Sequence, residues 1–420
     1  MEAQNSENLV SPRIFALKQE LESGKVEALD IFWQNVIDEG TPLVESIPND
    51  DDYALVTFLW RADESVEHVV FYSELLRGMW WNNWADALLS RLLQTNLYYR
   101  TYKVRTDLRF VYWLSPNHPL IHPRDVRDWD EYMAHCQVDP LNPRVFVQDK
   151  DRSYVEMPAA KPQRWHVYQP EIAQGRVECL AWHSELLNND RNVWVYTPPS
   201  YSVENEPYHL LLLFDGDVFT QAVSAPTIFD NLIAARRIPP LVAVMLDSPD
   251  RQRELYCDRP FAEFIANEII PWVHQKYHVS THPHQATVAG VSAGGLAAAF
   301  MGLQYSEFFG NVLSNSGAFN WSPEQRTDDF WHCEIPPEGE WLIRQFVECE
   351  KLPLRFHLDA GLLEDQRDNP TTTILQSNRH MRDVLRAKRY WLHYSEFCGG
   401  HQYINFRQTL AEGLIALLGT

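Results

Sequence analysis

Thr287-Val-Ala-Gly-Val-Ser-Ala-Gly-Gly295 is the stretch from which the rest of the chain takes its meaning. Thr287 to Ala289 is a short apolar run that reads as a buried strand. Gly290-Val291-Ser292-Ala293-Gly294 follows at once, and Gly295 to Gln304 reads as the start of an apolar helix. This is G-x-S-x-G between a strand and a helix, a context that gives the pattern chemical content. The turn must be sharp enough to lift the Ser292 hydroxyl out of the sheet. Glycines two before and two after leave room for strained backbone and for close approach of strand and helix. A helix starting after Ser292 aims its N–H groups and positive dipole end at the site where an oxyanion would form.

A serine nucleophile needs a base, and sixteen histidines are available. His401 stands apart because Phe397-Cys398-Gly399-Gly400 places it after a strand and a glycine pair, just before the last helix. In an α/β-hydrolase the base sits on the loop after the last strand, in chain order serine, acid, histidine. The acid should then follow the preceding strand, Leu354–Leu358, within Asp359-Ala-Gly-Leu-Leu-Glu-Asp365. Glu364 lies past the strand end, after a glycine that permits a turn, and its carboxylate would hold the imidazole tautomer. Asp359 and Asp365 remain competitors. For the oxyanion hole, the main-chain N–H of Ala293 supplies one donor. The second is expected from the loop Asp215-Gly216-Asp217-Val218, at the Asp217 N–H. Together these residues describe acyl transfer to water, with no metal and no cofactor.

Working outward, Val193–Thr197, Leu210–Phe214, Leu241–Leu246, Val312–Leu313, Leu354–Leu358 and Tyr390–Tyr394 read as further strands. Helical stretches alternate with them at Thr227–Arg236, Pro260–Tyr277, Thr371–Lys388 and Tyr403–Leu418. That alternation predicts a doubly wound, mostly parallel sheet over residues 165–420. The front of the chain differs. Tyr53–Arg61, Val66–Tyr72, Leu97–Val104 and Phe110–Leu114 are short β-rich runs, which predict an all-β, sandwich-like domain within residues 1–150. One or two surface helices precede it between Ser11 and Asn35, and a proline-containing linker follows over Asp149–Gln163. Trp80-Trp-Asn-Asn-Trp84 is expected to cap the sandwich or face the other domain.

The formal net charge of −21 disfavours nucleic acid and anionic membranes as partners. Met1–Phe15 lacks a basic start with an apolar core, so no signal peptide is expected, and no run of about 18 apolar residues predicts a spanning helix. Six scattered cysteines without a C-x-x-C pair fit reduced thiols in a cytoplasm. Oligomeric state is left open.

From about Val44 to Leu418 the chain resembles the enterochelin (enterobactin) esterase family, within the antigen-85/esterase-D-like α/β-hydrolases. The marks are Val193-Trp-Val-Tyr-Thr-Pro-Pro199, Asp215-Gly216, Arg251-Gln-Arg-Glu-Leu255, Glu268-Ile-Ile-Pro271, the Ser292 pentapeptide, Ser314-Asn-Ser-Gly317, Ala360-Gly-Leu-Leu-Glu364 and Gly399-Gly-His401. Asn315 stands where the family leads one to expect glutamine. The tryptophan-rich front followed by Asp139-Pro-Leu-Asn-Pro143 adds specificity. The resemblance implies a cytoplasmic serine esterase that opens the serine-ester backbone of a ferric catecholate siderophore, with a front domain that helps cover it. Such a polyanionic substrate demands a local basic patch and aromatic walls. Arg251 and Arg253, after the strand ending at Leu246, and Trp321 are the candidates. The rival readings are an esterase for another bulky ester, such as a feruloyl- or acetyl-glycan with a carbohydrate-binding front domain, and a degenerate hydrolase that only binds.

Overall fold

The structure, a computed structural model, describes residues 10–76, 84–121, 125–323, 339–365 and 372–419. The chain divides into two compact units, Met1–Lys161 and Pro162–Thr420.

The first unit begins with helices Pro12–Glu22 and Ala28–Glu39. Ser11 starts the first as its N-cap, its side chain accepting from the Ile14 amide at 3.2 Å. The strands that follow are β1 (Leu43–Ile47), β2 (Asp50–Arg61), β3 (Val69–Tyr72), β4 (Ser90–Arg91), β5 (Leu97–Arg105), β6 (Arg109–Pro116), β7 (Val145–Phe146) and β8 (Arg152–Glu156). They form two four-stranded antiparallel sheets, ordered β1-β2-β5-β4 and β3-β6-β8-β7. Aromatic rings from both sheets interleave between them. Phe58 of β2 lies 4.2 Å from Phe71 of β3 and 4.7 Å from Tyr112 of β6, and Phe71 lies 5.0 Å from Tyr102 of β5, measured between ring centroids. The β-rich runs therefore meet in one shared aromatic layer. Of the tryptophan cluster, only Trp84 is among the described residues. It opens the short helix Trp84–Ala87.

The second unit holds β9 (Arg176–Ser184), β10 (Asn189–Thr197), β11 (His209–Phe214), β12 (Leu241–Leu246), β13 (Ala286–Val291), β14 (Asn311–Asn315), β15 (Arg355–Gly361) and β16 (Trp391–Phe397). They make one eight-stranded sheet in the order β16-β15-β14-β13-β11-β12-β10-β9. Strands β11 to β16 are parallel where they pair, and β9 and β10 run antiparallel at one edge. This is the α/β-hydrolase arrangement, and it follows the sandwich-like unit in the chain. The central strands are apolar throughout because both faces are covered. Leu210, Leu212 and Phe214 face one core with Phe261, Phe264, Leu296 and Phe300. Leu211 and Leu213 face the other with Ile228, Phe229, Leu410 and Leu414.

Three local features differ from the sequence expectation. β9 adds an antiparallel edge strand before Asn189, and its alternating burial carries a weaker signal than the buried runs. The helix Trp341–Glu348, with Leu342, Ile343 and Phe346 buried, covers one face of the sheet. The stretch read as one helix over Pro260–Tyr277 consists of helical turns Arg259–Phe264 and Ile270–Lys276 joined by a π-helical turn, Ile265–Ile269. Pro271 has no N–H to donate, which favours the wider turn just before it.

The aromatic layer buries large apolar rings in the front unit. Phe58→Ala, at a fully buried position, should cost about 3–5 kcal/mol of that unit's stability. Chemical denaturation followed by tryptophan fluorescence checks this.

Candidate active site

Chain order explains where the site lies. From β11 the chain moves to β12 on one side, then returns to β13 on the other. This reversal opens a crevice at the carboxyl ends of β11 and β13, the place where such sheets bind ligands. Ser292 follows β13, and Asp215-Gly216 follows β11. The pairing Leu213↔Ala289 puts the two loops side by side.

Ser292 has φ 58° and ψ −120°, a conformation that costs a side-chain-bearing residue about 1–3 kcal/mol. The turn is tight enough that a Cβ at Gly290 would stand 2.4 Å from the carbonyl of Gly294. Glycine is therefore required there, and the strand and helix meet backbone to backbone. The helix Ala293–Gln304 is buried from Ala293 to Gly302. Ala293 is its first residue, so the Ala293 N–H has no acceptor within the helix. Ser292 itself is partly exposed.

Glu364 is reached by a tight turn. Its N–H donates to the Gly361 carbonyl at 3.0 Å, and its Oε2 accepts from the Gly361 N–H at 2.7 Å. The carboxylate is thus anchored to its own turn, and Oε1 is left for His401, whose Nδ1 lies 2.7 Å away. Glu364 is buried, while the His401 side chain keeps 35% of its exposure. With a carboxylate on Nδ1, the proton sits on Nδ1 and Nε2 is the free base. The loops that carry Glu364 and His401 are also joined through the main chain. Leu362 N–H donates to the Phe397 carbonyl, and Leu363 N–H to the Gly399 carbonyl, both at 2.9 Å. The competing acids are occupied elsewhere. Asp365 is exposed and accepts from the Thr373 hydroxyl at 3.4 Å. Asp359 is fully buried and bonds to His357 and Asn315.

Asp215, at φ 56° and ψ 48°, turns the chain into the short helix Gly216–Gln221. Asp217 is its second residue, so its N–H also lacks a helical acceptor. Burial, opposed by the Val218 amide and reinforced by Asp247 and Asp215, pushes the Asp217 carboxyl above its usual range. Arg251 grips the buried Asp215 carboxylate with both arms, Nε to Oδ1 at 2.7 Å and Nη2 to Oδ2 at 3.0 Å. Much of the Arg251 charge is therefore met within the protein. Arg253 points outward, 61% exposed, with Asp258 at 3.7 Å. Glu254 and Leu255 between and beyond them are buried, and Glu254 forms a bidentate pair with buried Arg191 at 2.7 and 3.1 Å. Trp321 is 8% exposed, with Tyr256 at 5.6 Å and Trp341 at 6.2 Å. It packs against these two rings rather than standing free.

Two features were not read from the sequence, the Asp215 side chain and Tyr256, which lies in the electrostatic reach of Arg251 and Asp215. An aspartate before glycine at a strand end signals a left-handed turn, but its long-range partner Arg251 has no local signature. Among the described residues there is no group of three His, Cys, Asp or Glu able to hold a metal, and no helix long and apolar enough to cross a membrane.

This fold, with G-x-S-x-G at its sheet's switch point, defines the class: carboxylic ester hydrolases of the α/β-hydrolase type. Residues 184–417 match the family described as "Putative esterase", and residues 55–166 match "Enterochelin esterase, N-terminal". The iron(III) enterobactin esterase of Yersinia enterocolitica is 30% identical over 66% of this chain and 85% of its own length. That of Dickeya dadantii is 29% identical over 93% of both chains. The crystal structure of the Shigella flexneri enterobactin esterase in the presence of enterobactin superimposes with a TM-score of 0.71 at 26% identity, covering 90% of this chain and 95% of that one. The chain belongs to the enterochelin esterase family.

Two predictions follow from this geometry. Glu364→Gln should lower ester turnover by orders of magnitude while Asp365→Asn stays close to wild type, measured by steady-state kinetics on both proteins. Arg251→Ala leaves the Asp215 carboxylate buried and unpaired, so its melting temperature should fall. Asp215→Asn in the same background should restore part of the loss, since asparagine tolerates the left-handed backbone.

Proposed function

We propose that this protein hydrolyses the serine-ester bonds of the trilactone backbone of ferric enterobactin-type catecholate siderophores, and that it does so in the cytoplasm, releasing iron. The observation that carries the reading is the buried Glu364 bonded to His401 Nδ1 at 2.7 Å, on the sheet whose β13 is followed directly by Ser292. Membership of the enterochelin esterase family supports the substrate class. The match of residues 55–166 to the N-terminal enterochelin esterase model weighs against a carbohydrate-binding front domain and the glycan ester that would go with it.

In this reading Ser292 Oγ attacks an ester carbonyl while His401 Nε2 takes its proton. Glu364 stabilises the imidazolium and keeps its tautomer without taking the proton itself. The Ala293 and Asp217 N–H groups receive the oxyanion. His401 then protonates the leaving serine hydroxyl, and water attacks the acyl enzyme with His401 as base. The two helix starts at Ala293 and Gly216 stand on either side of the crevice, which suits them to a shared anion.

Substrate capture faces a charge conflict, because the protein carries a net charge of −21 and the chelate is anionic. At ~0.15 M salt the Debye length is about 8 Å, so distant acidic residues are largely screened. The local field then comes from Arg253 and from the part of Arg251 that Asp215 leaves uncompensated, with Tyr256 backed by Trp321 as the aromatic wall.

Ser292→Ala should retain the fold and lower ester turnover by roughly 10⁴-fold or more, and chromatography of ferric enterobactin after incubation reads this directly. Near-normal hydrolysis by that variant would remove Ser292 as nucleophile. Arg253→Ala should weaken binding of ferric enterobactin severalfold in low salt, and less at ~0.15 M, with p-nitrophenyl acetate turnover unchanged. Equal losses on both substrates would assign Arg253 to the fold.

A further inference from the structure

Behind the serine turn lies a column of polar side chains that the reaction does not use. Asn315 ends β14, Asp359 lies opposite it on β15, and His357 lies two residues earlier on the same face of β15, opposite His393 of β16. Asp359 and His357 are completely buried and Asn315 nearly so, with His393 at the exposed end. Asp359 Oδ2 accepts from Asn315 Nδ2 at 2.5 Å and from His357 Nε2 at 3.2 Å. With the His357 proton on Nε2, its Nδ1 accepts from His393 Nδ1–H at 3.0 Å. Burial pushes the Asp359 carboxyl up, and the Glu364 charge adds to this. The His357 and Asn315 donors oppose both.

The column is joined to Ser292 through the main chain. The Ser292 N–H donates to the Asn315 carbonyl at 3.0 Å, and the Ser292 carbonyl accepts from the Ala318 N–H at 2.9 Å. Both backbone groups of the strained residue are therefore tied to the segment Asn315–Ala318. Asp359 holds that segment twice. Its carboxylate holds the Asn315 side chain, and its carbonyl accepts from the Ser316 N–H at 2.9 Å. Ser316 itself has φ 46°, so this strap also contains a non-glycine residue outside the favoured backbone region. A strained turn persists only where its surroundings fix it from several sides. The other end of the column touches the helix that follows His401. A Cβ at Gly413 would lie 2.9 Å from His357 Cδ2, so glycine there lets the helix Tyr403–Leu418 close onto the imidazole.

We propose that Asp359, with Asn315 and His357, is a positioning residue for the nucleophile. It clamps the Asn315–Ala318 strap and so holds Ser292 in its attacking conformation. The clamp touches neither substrate nor the reacting atoms. Its loss should therefore lower kcat and leave KM in place. The inference rests on the esterase reading of Ser292 given above.

The test is steady-state hydrolysis of p-nitrophenyl acetate, with thermal melting and fluorophosphonate labelling of Ser292 on each protein. Asp359→Leu should lower kcat at least tenfold with KM within about twofold of wild type. Asp359→Asn keeps an oxygen that accepts from both donors, and should recover most of the rate. Asn315→Leu removes the strap's side-chain hold at nearly constant volume, and serves if Asp359→Leu does not fold. It should show the same loss in kcat alone, and combining it with Asp359→Asn should add little. A folded Asn315→Leu protein with wild-type kcat, or one whose loss lies wholly in KM, would overturn the clamp. A wild-type protein that neither turns over the ester nor reacts with the fluorophosphonate would instead overturn the esterase reading, and the clamp with it.

Discussion

The backbone of Ser292 is held where a serine would not rest unaided, and most of the second unit is arranged to keep it there. Its φ of 58° and ψ of −120° persist because the strand in front and the helix behind are both buried. The strap from Asn315 to Ala318 ties down its N–H and its carbonyl. The eight-stranded sheet supplies the rigidity, and the apolar helices on its two faces remove the freedom to relax. Strain of about 1–3 kcal/mol is small against such packing, and the result is a hydroxyl presented at the sheet's switch point.

Much of this was legible in the chain because it is written locally. Leu241–Leu246 is a strand with the bounds that its apolar run predicts, and Tyr403–Leu418 is a helix with the bounds that its pattern predicts. Gly290, Ser292 and Gly294 declare a turn by their spacing. The pairing of Glu364 with His401 could be anticipated from the glycine before each and the strand before that. The carboxylate's bond to the Gly361 amide could not. What stayed hidden depends on partners distant in sequence. Arg251 is a candidate substrate-binding cation by sequence, but the carboxylate that engages it, Asp215, lies thirty-six residues away. Trp321 is a candidate aromatic wall by sequence, and its neighbours Tyr256 and Trp341 come from elsewhere in the chain. Asp359 competes with Glu364 by sequence position, and its partners Asn315 and His357 are set by strand pairing that the local sequence does not show. A sequence shows which residues have chemistry to offer. The fold decides which of them are already engaged.

The charges in the site are accordingly more frugal than a count suggests. Arg191 and Glu254 neutralise one another in the core, and the guanidinium lies over Phe264 at 4.5 Å. Arg251 answers Asp215. These pairs fix the segment from Arg251 to Leu255 as a rigid ledge, which leaves Arg253 as its outward cation. On an acidic protein, one arginine on a fixed ledge offers a better-defined field than several on mobile side chains.

The seam between the acid and base loops has a consequence for redesign. Leu362 and Leu363 bond to Phe397 and Gly399 through backbone atoms alone, so the seam is indifferent to most side chains along it. The exceptions are Gly361, where a Cβ would come within 2.5 Å of the Gly399 carbonyl, and Gly399, where one would come within 2.7 Å of the Asn405 side chain. The two loops thus behave as a removable cartridge. They could be transplanted together onto another sheet of this kind, provided that both glycines, Glu364 and His401 travel with them.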